Sequence, residues 1–171
     1  MENIKLQAQK KEIAKLDKQT LANICIRLAK YKSENKELLN YLLFYSYDNQ
    51  PYIDTLKLDI TKAFGFTTQN EYTISRLLKN LLTHLNKHLK FIADKNLEAE
   101  ILLAFCNAFI EKIDMRGSYI PLVQVLYRQL VKICKVVEKL DEDLQFDYQI
   151  QIDIIFNALK KSNYYKHLKM V

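Results

Sequence analysis

The chain has 171 residues, 49% of them hydrophobic and 27% charged, with a formal net charge of +6. That length and apolar content suit one domain with a continuous core and argue against disorder. Only two Gly and two Pro occur, which excludes a phosphate-cradling loop or a dinucleotide fingerprint in their usual forms and favours long helices joined by short connections.

Residues 3–16 are weakly periodic and rich in Lys and Gln, so they predict a marginal helix or a loose arm. Asp17 is placed to cap a helix over 18–32, where Leu21, Ile24, Cys25 and Leu28 share one face. Ser33 is expected to cap the next helix, about 34–48, which carries Leu38, Leu39, Leu42 and Leu43. After a break at Asn49-Gln50-Pro51, with Pro51 in a first turn, a helix carries Ile53, Leu56, Ile60 and Phe64. Gly65 stands where a C-cap glycine belongs, and Phe66 to Asn70 read as a loop.

A long helix is predicted over about 71–92, and the most apolar one over about 95–114. The latter carries Ile101, Leu102, Phe105, Ala108 and Phe109, and its wide apolar face places it centrally. Arg116-Gly117-Ser118 reads as a turn, followed by helices over 119–140 and from Asp141 onward. The expected organisation is an arm or marginal helix at 1–16, a single helical domain at 17–161 and a basic tail at 162–171. The fold class is all-α with about seven helices. Antiparallel hairpins would stack as a short superhelix or close into a bundle.

Two stretches echo each other at a constant offset of 61 residues. Leu28, Ser33, Asn35, Glu37, Leu42 and Phe44 align with Leu89, Asp94, Asn96, Glu98, Leu103 and Phe105. Each copy reads as a helix, a cap residue and a second helix, the mark of a helical-hairpin repeat. The match is imperfect, since Leu39 aligns with Glu100 and Lys36 with Leu97. The segment from Leu28 to Leu39 resembles one found in a group of small, uncharacterised, all-helical bacterial proteins. That resemblance covers about the first half of the chain and implies no activity. In architecture the hairpins also resemble HEAT or tetratricopeptide arrays, although the tetratricopeptide Trp-Leu-Gly-Tyr spacing is missing.

The charge is concentrated. Residues 71–92 hold Arg76, Lys79, Lys87 and Lys90 against Glu71. Residues 119–140 hold Arg128, Lys132, Lys135 and Lys139 against Glu138, so these two helices account for the whole excess. On each helix the four bases fall in a narrow stripe opposite the apolar face. Residues 141–153 hold five acids and no base. Helix-dipole complementarity explains many of these positions without a ligand, at about 0.3–1 kcal/mol per charge. However, Arg76, Lys79, Arg128 and Lys132 lie outside last turns. If the two helices lie side by side, their stripes merge into a surface for phosphates or an acidic partner. The tail adds Lys160, Lys161, Lys166 and Lys169 around Tyr164 and Tyr165.

Signs of catalysis are few. His84 and His88 have the i,i+4 spacing of two metal ligands, but no Glu follows in the zinc-protease pattern and no third ligand is near in sequence. Cys25, Cys106 and Cys134 are widely spaced in apolar runs and read as buried, reduced thiols. Tyr41, Tyr45 and Tyr52 form a candidate partner surface. There is no apolar run of about 18 residues and no apolar segment after Met1-Glu2-Asn3-Ile4-Lys5. The expectation is therefore a cytoplasmic protein with no membrane span, no cofactor and no catalytic residues. The first reading is a non-catalytic interaction or scaffold module with a protein partner. The alternative is an electrostatic nucleic-acid-binding protein using the two basic stripes, and the third is a metal- or carboxylate-dependent enzyme whose residues meet only in space. Oligomeric state is not legible in the sequence.

Overall fold

The structure is a computed structural model that describes residues 5–65, 70–114, 119–160, 163 and 165. Among these it is all-helical, with eight helices in chain order. They are α1 (Leu6–Ile13), α2 (Lys18–Tyr31), α3 (Ser33–Phe44), α4 (Gln50–Ala63), α5 (Glu71–Ile92), α6 (Lys95–Lys112), α7 (Ile120–Val137) and α8 (Glu142–Lys160). The expected arm is thus a short helix, α1. The turn at 116–118, the loop at 66–69 and most of the basic tail lie outside the described residues. No helix among the described residues is long and apolar enough to cross a membrane.

The contacts divide the chain into two compact units, Met1–Tyr47 and Asp48–Val171. In the first unit α2 packs against α3. Asp17 caps α2 as its position predicts, accepting from the Gln19 and Thr20 amides at 2.9 and 3.0 Å. The Thr20 hydroxyl and these amides hold its carboxyl below the ordinary range. At the other end the Asn35 side chain donates to the Leu28 carbonyl at 2.9 Å, satisfying one of the orphan acceptors where α2 stops.

In the second unit α6 is central, flanked by α4, α7 and α8, while α5 packs on α4 and α7. Ala99, Ile101, Leu102, Leu103, Phe105, Cys106 and Phe109 are buried along it. The Phe105 ring meets Phe64 of the α4 terminus at 5.4 Å and Phe109 at 6.4 Å, in edge and tilted geometries that favour aromatic pairs. α5 and α7 each present one apolar face to this core, from Ile74 to Ile92 and from Leu122 to Val137.

Two local expectations are corrected. Ser33 does not cap α3: the extended residue is Lys32, which makes no side-chain cap bond. Ser33 therefore lies inside the helix and its hydroxyl turns to Glu37. Gly65 does not use the left-handed backbone of a C-cap glycine, since no glycine among the described residues has positive φ. α4 instead closes through Phe64 and a Gly65 amide bond to the Lys62 carbonyl.

The two junctions of the apparent repeat also differ. α5 ends through Ala93 in the left-handed region at φ 54°, and Asp94 caps α6 by accepting from the Leu97 amide at 3.0 Å. Leu42 is 49% exposed whereas its counterpart Leu103 is 3% exposed, because α6 has neighbours on several sides and α3 packs against α2. Asp94→Ala is therefore expected to cost about 1 kcal/mol and Ser33→Ala no more than a few tenths. Urea unfolding of both variants checks this, and equal losses would make the two junctions equivalent after all.

Candidate functional site

The most unusual feature of the first unit is how little it buries. α2 is amphipathic, yet none of its 14 residues is buried. Leu21, Ile24, Leu28 and Tyr31 follow one another at helical spacing along one face, all exposed, with Leu28 at 56%. Ile24, Arg27, Leu28, Lys30 and Tyr31 line a shallow concavity on that face. On α3, Leu43 and Phe44 are exposed as well. Single exposed apolar side chains need no explanation, but a continuous ridge of them marks an interaction surface.

The tyrosines singled out from the sequence do not form that surface. Tyr41 is buried, Tyr45 is half-buried, and Tyr52 is half-buried in the second unit with its hydroxyl bonded to His88 Nδ1. Their hydrophobic bodies are used in packing, so they present no exposed aromatic patch. The exposed apolar side chains of the first unit lie instead on α2 and α3. Its residues were visible in the sequence, but as core residues.

A second exposed ridge lies on α8. Ile152, Ile155 and Leu159 face the core, while Phe146, Ile150 and Ile154 recur every four residues on the opposite side, with Phe146 at 69% and Ile154 at 61% exposure. The acids Asp143, Asp147 and Asp153 flank this ridge and are exposed. The sequence does carry this signal, as a second apolar stripe on one helix.

The two histidines sit between α4 and α5. His84 Nε2 is 3.1 Å from Asp59 Oδ2, and the His84 and His88 rings are 4.3 Å apart. The edge of the His88 ring also meets Phe91 at 5.4 Å. Tyr52 and Asp59 thus hold the two rings in a polar seam. Among the described residues no group of three or more His, Cys, Asp or Glu side chains is placed to hold a metal ion.

A polar cleft of about 420 Å³ lies among α4, α6 and α8. In it Lys57 Nζ pairs with Glu100 Oε1 at 2.5 Å, and the Tyr148 hydroxyl donates to Asn96 Oδ1 at 2.7 Å. Burial, with the nearby charges of Glu100 and Asp94, pushes the Tyr148 phenol up, so it stays protonated at neutral pH. The arrangement supplies a proton donor and a paired cation.

The basic residues are carried by neighbouring helices, since α5 packs along α7. Arg76, Lys79, Lys90, Arg128, Lys135 and Lys139 are exposed, while Lys87 and Lys132 are half-buried. Lys132 Nζ bonds Asn86 Oδ1 at 2.7 Å and Glu98 Oε1 at 2.9 Å. The bond to Asn86 marks the facing sides of the two helices. Lys79 and Lys90 lie within about 40° of Asn86 around α5, and Arg128 about 40° from Lys132 around α7. Lys79, Lys90 and Arg128 therefore border the same seam.

Of the cysteines, only Cys106 is buried; Cys25 and Cys134 are half-buried, which corrects the expectation for those two. All three are free thiols. Burial pushes the Cys106 thiol far above its ordinary range and raises Cys134 as well, so both are protonated and poor nucleophiles at neutral pH.

In comparisons with known proteins, no family model, no curated protein and no solved structure matches this chain.

Proposed function

We propose that the protein is a non-catalytic interaction module that binds a protein partner through the apolar face of α2. The observation that carries this reading is an amphipathic 14-residue helix with no buried residue. Taking such side chains from full exposure to full burial is worth about 1.5–3 kcal/mol each; Leu21, Ile24 and Leu28 are still 38%, 39% and 56% exposed, so roughly half of that driving force stays unused until something covers them. Within the second unit, the packing of α6 against α4, α7 and α8 supports a closed bundle as the scaffold rather than an open superhelix. The seating of His84 and His88 against Asp59 and Tyr52 supports a packing role for these rings over a catalytic one.

The test is a photo-crosslinking residue placed at Leu28, with Lys62 on α4 as the control position. Discrete protein adducts from position 28 and none from position 62 are expected. Absence of protein adducts from position 28, or equal yields from both positions, would refute the reading.

A second reading is electrostatic binding of nucleic acid. It is favoured by the bordering of one α5/α7 seam by bases from both helices. Such binding would weaken steeply with salt and show little sequence preference, because lysine-rich stripes meet phosphates and not base edges.

A further inference from the structure

We infer that the occupant of the α2 face is a second copy of this chain, seated through the exposed ridge of its α8. The inference rests on the proposed role of the α2 face and names its partner. Three observations on the two helices point to it.

The first is shape. Leu21 and Tyr31, the ends of the α2 ridge, lie ten residues apart, and Phe146 and Ile154, the ends of the α8 ridge, eight apart. At 1.5 Å per residue these ridges are about 12–15 Å long, so one helix can lie along the other over the full apolar length. Both ridges are solvent-facing, and neither belongs to the buried core of its own unit.

The second is charge. α2 has no acid between Lys18 and Tyr31, and Arg27 and Lys30 rim its apolar concavity. α8 has no base between Glu142 and Leu159, and Asp143, Asp147 and Asp153 flank its ridge. Apolar ridge meets apolar concavity, and acidic rim meets basic rim.

The third is exclusion of the symmetric alternatives. Pairing α2 with α2 sets Arg27 and Lys30 against their own kind. Pairing α8 with α8 sets aspartates against aspartates. Like charges facing each other across an interface are penalised, so the charges select the unlike pair. Such a contact is head-to-tail. Every copy offers one α2 face and one α8 face, so assembly closes as a reciprocal two-fold dimer or a larger ring, or runs on as an open filament.

The test is sedimentation velocity on the full chain across a range of micromolar concentrations, with two single variants, Leu28→Glu on α2 and Ile150→Glu on α8. Both positions are exposed, so far-UV circular dichroism should remain that of the parent. The parent should show concentration-dependent dimers or larger species, diminished by salt. Each variant alone should be weakened by about 30-fold or more, the scale of losing a central interface anchor. An equimolar mixture of the two should recover one heterodimer and nothing larger, because one intact α2 face and one intact α8 face remain. A parent that stays monomeric at every concentration would overturn the inference, as would variants that self-associate like the parent or a mixture that forms no dimer. If the parent is monomeric while position 28 crosslinks to a different protein, the second copy is ruled out and the interaction module stands.

Discussion

Phe105→Ala is expected to lower stability by about 3–5 kcal/mol, at the upper end of what a single core truncation costs. Phe105 is fully buried on the central helix α6, and its ring packs against Phe64 and Phe109. Removing it takes away apolar burial and also leaves a cavity between α4 and α6, whose rigid backbones allow little collapse. A domain of this kind has about 5–15 kcal/mol of stability in total, so the loss is a large share of it. Phe146→Ala is the matched control: the same deletion on an exposed ridge should change stability by no more than about 0.5 kcal/mol. Urea unfolding followed by circular dichroism measures both. A cost under about 1 kcal/mol at Phe105 would mean that α6 is not the centre of the core.

Lys132→Ala is expected to cost about 1–2 kcal/mol at neutral pH and to change the response to acid. The value lies between an exposed pair, worth up to about 1 kcal/mol, and a fully buried one, whose rupture costs about 3–5 kcal/mol. Lys132 is 34% exposed and Glu98 13%, so the pair belongs between these limits. Glu98 also accepts from Lys95 at 2.6 Å, a partner it keeps in the variant. Burial pushes the Glu98 carboxyl up, but hydrogen bonds and charge from Lys95 and Lys132 more than offset this and hold it below its ordinary 4.5. A carboxyl lowered in the folded state stabilises the protein above that ordinary value, and the stabilisation is lost as pH falls through the folded value. Without Lys132 the burial effect gains weight, the carboxyl moves up, and less stability remains to be lost in acid. Urea unfolding at about pH 7 and about pH 3 should therefore show a gap between parent and variant at neutral pH that narrows in acid. A gap of constant size would show that the ammonium acts through packing of its stem and not through its charge.

Much of the secondary structure follows from local rules. Asp17 and Asp94 cap their helices because a carboxylate beside a free amide is favourable wherever the chain goes next. Pro51 lies in the first turn of α4 for an equally local reason. Ser33 and Gly65 depart from expectation: Lys32 takes the extended position at the start of α3, and α4 ends without a left-handed residue. Such boundaries depend on neighbouring backbone that composition does not specify.

The site was legible only as a set of candidate residues. Periodicity showed that α2 has an apolar face, but every apolar face looks like core until the coverage of that face is known. The same holds for α8, where Ile152 and Ile155 are buried and Ile150 and Ile154 are exposed on one helix. The pairing of Tyr52 with His88, 36 residues apart, and of Lys132 with Glu98 depends on how helices pack side by side.

The sequence by itself therefore determined an all-helical chain, the approximate extent of its helices, which side of each is apolar, and a net positive charge concentrated on α5 and α7. These properties depend on residues within a few turns of one another. Only the tertiary structure decided that α6 is enclosed while the apolar ridge of α2 stays exposed, that bases from α5 and α7 border one seam, and that Tyr41, Tyr45 and Tyr52 are used in packing. Those outcomes depend on which helix lies beside which, set by close packing between residues distant in the chain.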